Sequence, residues 1–222
     1  MKTTDMTKGS PAKLLLQFAI PILIGNLFQQ AYTLADRIIV GRFVGDTAFS
    51  AIGATNALSM MFMSMCMGAA MVTYTGQNIG AGKQERISYG VIDAMKISAI
   101  VSIALLAASW IFGRNIMGIF VTNTDIISIA ASGIRITSLF LISLGGVQIL
   151  RYMLNCAGDS MYALMNGVVE VIARVAFAVS LTSIPFIGMW GIWITTGLTW
   201  TVTAVFALVR YKHGTWKNKK PV

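Results

Sequence analysis

A small set of polar side chains stands inside stretches that are otherwise almost wholly apolar, and these are the residues able to do chemistry. Asn26, Gln29, Gln30, Tyr32, Thr33 and Asp36 fall within an arc of about 160° when plotted at 100° per residue. Leu27, Phe28, Ala31 and Leu34 take the opposite side. Such a helix turns an apolar surface one way and a polar interior the other. Tyr32 lies one turn from Asp36, within hydrogen-bonding reach of its carboxyl group. A carboxyl group withdrawn from water favours a neutralised form, so a proton or a sodium ion held at Asp36 could be exchanged for a cationic substrate. The same spacing also fits an interfacial carboxylate near Arg37 or Arg42, satisfied by water.

A second pair is Glu170 and Arg174, four residues apart. That spacing puts opposite charges on one helical face, where a mutual ion pair lowers the insertion cost of both. Such a pair serves as a structural pin between helices, or Glu170 serves to attract a cation. Each ionisable group buried in a bilayer costs roughly 2.5–3.5 kcal/mol, so every one of these residues asks for a reason.

The elements that must position them follow from composition. The chain has 222 residues, 56% of them hydrophobic and 11% charged, against roughly 25% charged in an ordinary soluble domain. No charge occurs between Lys13 and Asp36, Asp46 and Lys83, Lys96 and Arg114, Arg135 and Arg151, or Arg174 and Arg210. Runs of ~20 apolar residues read as bilayer spans. Hydrocarbon offers no water to backbone groups, so the spans must be helices or closed barrels, and the lack of strict alternation excludes barrels. The expected class is all-α membrane, one bundle of about six transmembrane helices occupying 1–222.

Span one is expected over 14–40, kinked at Pro21, and span two over 47–74. The segment Gly76–Arg86, rich in glycine and charge, reads as a loop. Span three is expected over 91–112, followed by a loop, 113–125, with an interfacial turn at 115–121. Span four covers 126–154 and span five 161–184. Pro185 and Gly188 break the next uncharged run before span six, 189–210. The tail, 211–222, carries Lys212, Lys217, Lys219 and Lys220 and reads as a basic cytoplasmic flank. With both termini inside, Lys2, Lys8, Lys13, Lys83, Arg86, Lys96, Arg210 and the tail lysines face Arg37, Arg42 and Arg114 outside, an asymmetry that fixes one orientation.

The net charge of +9 therefore reports topology, and no nucleic-acid partner is expected. Cys66 and Cys156 suggest neither a disulfide framework nor a metal cluster. Trp190, Trp193 and Trp200 suit interfacial or packing positions on span six. Met60, Met61, Met63, Met65, Met67 and Met71 are flexible, polarizable side chains that point all round span two. The sole histidine, His213, lies in the tail. No nucleophile and base set stands out, and Gly76–Gly82 lacks the Gly-Lys-Ser/Thr ending of a phosphate loop, so an enzyme is not expected.

Three segments together resemble the multidrug and toxic compound extrusion (MATE) family. Pro21-Ile-Leu-Ile-Gly-Asn-Leu-Phe-Gln-Gln-Ala-Tyr-Thr-Leu-Ala-Asp36, with Val40-Gly41 and Ala51-Ile-Gly-Ala-Thr-Asn56, resembles the start of that family's N-terminal lobe. Gly76-Gln-Asn-Ile-Gly-Ala-Gly-Lys83 with Glu85-Arg86, then Cys156-Ala-Gly-Asp-Ser160 and Glu170-x-x-x-Arg174, resembles the C-terminal lobe. The chain thus looks like a half-length member that joins the two, with the switch inside span two.

The resemblance implies export of organic cations or drugs across the cell membrane in exchange for H⁺ or Na⁺, with no other cofactor. It makes Asp36 the coupling acid, with Tyr32 beside it and Asn26, Gln29, Gln30 and Thr33 lining the cavity. Family members generally have two lobes of about six spans, so a working unit would be a parallel homodimer in contact with membrane lipids. Competing expectations are a non-transporting, internally deleted remnant or interaction subunit, and a lipid-linked sugar flippase using Arg135, Arg151 and Arg174.

Overall fold

The structure is a computed structural model that describes residues 10, 16, 19–20, 22–27, 30, 46–65, 68–182, 187–214 and 216. Its helices run in the order α1 (residues 22–27), α2 (Asp46–Met65), α3 (Gly68–Gly80), α4 (Gln84–Phe120), α5 (Thr124–Ser138), α6 (Leu141–Cys156), α7 (Ser160–Thr182) and α8 (Gly191–Lys212), with a 3₁₀ turn at Gly188–Trp190. No strand is present among the described residues. The chain is an all-α membrane protein. Among the described residues, the stretches 84–120, 164–181 and 188–212 are each long and apolar enough to cross a bilayer, and α5 with α6 makes a further span if that bent pair is counted as one. Most of the first expected span, 14–40, lies outside the described residues.

Several expected boundaries are corrected. The glycine-rich segment after Tyr74 stays helical to Gly80, and the turn is confined to residues 81–83, with Gly82 at φ 69°. Burial outweighs the glycine penalty there: Met71 and Thr75 are buried, and α3 packs on α6. Instead of a loop from residue 113, α4 continues unbroken for 37 residues. Gly113 and Met117 lie on its buried face, where the missing Gly113 side chain lets Ala131 and Arg135 of α5 approach.

Span four is two helices bent by 58°, with Leu139 and Phe140 in the turn. No proline or glycine marks that break. The hydroxyls of Thr137 and Ser138 donate to the carbonyls of Gly133 and Arg135, and the Phe140 ring fills the space over Gly197. Two helix boundaries match local chemistry. Asn123 caps α5 by accepting from the amides of Asp125 and Ile126, and the run between Arg174 and Arg210 does break before residue 188.

The core is split along the bundle. One cluster joins Met71, Ile87, Val91, Met153, Tyr162 and Trp216 near the start of α4. The other joins Ala51, Met117, Ala130, Ile134 and Trp193 at its far end. Trp193 therefore takes the packing role, one of the two that its position allows. It is 3% exposed, lies over Gly133, and donates through Nε1 to Thr55 Oγ1 at 3.2 Å. At the start of the tail α8 runs to Lys212, and the buried Trp216 ring stacks on Tyr211.

Candidate functional site

Polar residues recur every fourth position on α7: Tyr162, Asn166, Glu170 and Arg174. Four residues advance a helix by about 40° beyond one turn, so they form one slowly winding stripe. All four are buried, Asn166 completely. The Tyr162 hydroxyl donates to Asn166 Oδ1 at 3.2 Å. Further along the stripe, Arg174 Nη1 donates to Thr196 Oγ1 of α8 at 2.8 Å.

Glu170 and Arg174 keep their four-residue spacing on α7, and both are buried. Neither Glu170 nor Arg174 lacks a partner. The arginine ties α7 to α8 by reaching across, as a pin between helices would. Two buried polar atoms, Asn166 Nδ2 on the stripe and Thr195 Oγ1 on α8, have no hydrogen-bond partner. A buried orphan costs about 1–3 kcal/mol, so the α7–α8 seam is polar beyond what packing requires.

The polar helix α1 meets this stripe directly. A Cβ placed on Gly167 would stand 2.9 Å from the Gly25 carbonyl oxygen and 3.1 Å from its Cα. The two backbones thus cross between Asn166 and Glu170. Beside the crossing, Arg151 Nη2 of α6 donates to Asn26 Oδ1 at 2.9 Å. Gln30 is exposed, and so is Asn26 despite its bond. Gln29, Tyr32, Thr33 and Asp36 lie outside the described residues.

The crossing gives a direct test. Gly167→Ala is expected to push α1 off α7 and lower stability by about 1–3 kcal/mol, the usual cost of overpacking. Thermal unfolding of the purified variant reads this, and an unchanged midpoint would show that α1 does not depend on the contact. The sequence reading passed over Tyr162 and Asn166, and named Arg151 only for a rejected role. The signal was present in the four-residue spacing that leads to Glu170.

A family model, MatE, matches residues 21–180, which include α1, the stripe and the bond from Arg151 to Asn26. The chain belongs to the MatE family. That single match crosses the point in span two where the resemblance put a switch between lobes. The probable multidrug resistance protein YpnP of Bacillus subtilis (strain 168) is 24% identical over 218 residues, covering 97% of this MatE chain and 48% of the relative. YoeA of the same organism, also described as a probable multidrug resistance protein, is 20% identical over 210 residues, 93% of this chain and 45% of its own.

Among solved structures, the outward-facing conformation of a multidrug resistance MATE transporter of the MOP superfamily matches with a TM-score of 0.83 at 20% identity, covering 97% of this chain and 49% of that one. A MOP-superfamily transporter from Pyrococcus furiosus matches with a TM-score of 0.82 at 20% identity, covering 100% and 49%. The MatE chain spans about half the length of the curated relatives it matches. These likenesses fix the fold of a MATE lobe and a multi-pass membrane protein.

Proposed function

We propose that this MatE chain is one lobe of a secondary transporter that exports organic cations in exchange for H⁺ or Na⁺. The observation that carries the reading is the buried stripe from Tyr162 to Arg174, with α1 packed at Gly25 against Gly167 of the same helix. Buried ionisable groups in a membrane chain are expensive and mark ion or substrate paths. In this reading Asp36 and Tyr32 hold the coupling ion, Asn26, Gln29, Gln30 and Thr33 line the cavity, and Glu170 supplies a second fixed negative charge.

One lobe encloses no central cleft, so the working unit is a parallel homodimer in the cell membrane. Both termini lie in the cytoplasm, as the Lys/Arg asymmetry requires. The half-length match to the curated relatives favours a second reading, a non-transporting lobe that acts only through partners.

The two separate in proteoliposomes carrying an imposed pH or sodium gradient and a fluorescent organic cation. Gradient-dependent movement of the dye, collapsed by an ionophore, is the expected result. A correctly inserted chain that moves no dye under either gradient would overturn the transporter reading and leave the second.

A further inference from the structure

Helix α4 serves as a ruler across the bilayer. The exposed ion pair Asp93–Lys96, 3.1 Å long, marks water at one end. Exposed Arg114 marks it at the other. The uncharged stretch between Lys96 and Arg114 is about 25 Å long at 1.5 Å per residue, close to the ~30 Å of a hydrocarbon core. Trp110 stands one turn inside the Arg114 border, where acyl chains give way to headgroups, and its side chain is 53% exposed.

At that depth α5 presents Arg135, whose Nη2 donates to the Trp110 carbonyl oxygen at 3.2 Å. An open groove of about 420 Å³ runs between them, lined by Trp110, Ser132, Arg135, Ile136, Leu139 and Trp190. Its only charged lining residue is the arginine. Arg135 Nε is buried beside Gly113 without a hydrogen-bond partner, so the guanidinium is far from saturated. A second guanidinium, Arg114, follows Trp110 by one turn on the same face of α4.

The groove is polarised along the membrane normal. Since α5 descends from Thr124 toward the middle of the bilayer, Ile136 and Leu139 lie on the hydrocarbon side of Arg135, and Leu139 is 54% exposed. A cation at this border is costly unless an anion meets it, and a planar guanidinium matches phosphate oxygens bidentately. Indole rings sit preferentially at the same level. Headgroup contact at Arg135 and acyl contact over Ile136 and Leu139 fit one molecule that has both parts.

We propose that this groove is a binding site for an anionic phospholipid, with its phosphodiester on Arg135 and one acyl chain along Ile136 and Leu139. A net-negative headgroup is the occupant because a choline ammonium would be repelled by two guanidiniums, with no carboxylate in the lining to offset them. Trp110 and Trp190 border the site and report on it.

The test is tryptophan quenching in phosphatidylcholine vesicles that contain a minor fraction of brominated phosphatidylglycerol or, in parallel, brominated phosphatidylcholine. The wild-type chain is compared with Trp110→Phe to isolate the groove signal. The brominated anionic lipid is expected to compete for the groove about fivefold better than the zwitterionic one, the effect of one cationic side chain at a membrane surface. Arg135→Gln should bring the two to parity.

Equal quenching by both lipids in the wild type would overturn the proposal even if Arg135→Gln fails to fold, and so would a preference for the choline lipid held by the indoles. A preference unchanged in Arg135→Gln would remove the arginine from the site. Relief of quenching by soluble glycerol phosphate would make it a site for free phosphates. Quenching by neither lipid would mean that a second copy of the chain covers the groove.

Discussion

Glu170→Gln is expected to lower gradient-driven cation transport about a hundredfold while leaving the amount of inserted protein unchanged. The carboxylate is 4% exposed on a face shared with Asn166 and Arg174. Glutamine keeps its shape and one acceptor oxygen, replaces the other with an NH2 donor, and loses the charge that a passing cation would meet. Removing one member of a buried charge interaction costs 2–5 kcal/mol, and about 2.7 kcal/mol is a factor of a hundred.

Proteoliposome transport measured alongside thermal stability distinguishes the roles. A variant that transports normally would remove Glu170 from the ion path. A variant whose transport loss follows its loss of folded protein would make Glu170 a structural partner only. Asp36→Asn in the same assay should abolish coupling without affecting insertion.

Arg210→Ala should destabilise the fold by about 3 kcal/mol, the low end of the range for a broken buried ion pair. Arg210 Nε donates to Asp159 Oδ2 at 2.8 Å and Nη2 to Oδ1 at 3.1 Å. The side chains are 29% and 6% exposed, so the acid is the member that cannot return to water without rearrangement. Asp159 immediately precedes α7 and Arg210 lies in the last turn of α8, so each charge also suits the dipole of the helix end it occupies.

The pair clamps the α6–α7 turn to the end of α8, beside the stacked rings of Tyr162 and Phe206. Chemical or thermal unfolding measures the effect, and Asp159→Asn with Arg210→Gln should recover most of the loss by removing the stranded carboxylate. Equal stability of wild type and Arg210→Ala would show that the clamp is solvated and contributes nothing.

Much of the architecture was legible because it depends on short-range properties of the chain. Uncharged runs longer than a bilayer is thick leave a backbone no state but helix, so the membrane class followed from charge spacing alone. Pro185 with Gly188 announced the gap before α8. The opposite charges on α7 were visible as an i, i+4 pair. The bond from Arg174 to Thr196 was not, because that threonine lies on another helix.

Where local signals misled, packing had overridden them. Gly76, Gly80 and Gly113 read as breakers, yet each is tolerated in a helix; Gly113 faces α5, and Gly76 lies near Cys156 of α6. The bend after Ser138 has no breaker at all, and it exists where Phe140 meets Gly197 of α8.

The sequence by itself determined the solvent of this protein, the approximate places where its helices start and stop, and which residues are too polar for lipid. Those are properties of single segments, read from periodicity and charge. Only the tertiary structure decided which polar faces meet: Asn26 with Arg151 across 125 positions, Gly25 with Gly167 at backbone contact, and Arg135 with Trp110 at the membrane border. A helical period fixes the direction of a side chain relative to its own axis, whereas its neighbour is fixed by how closely two backbones can approach.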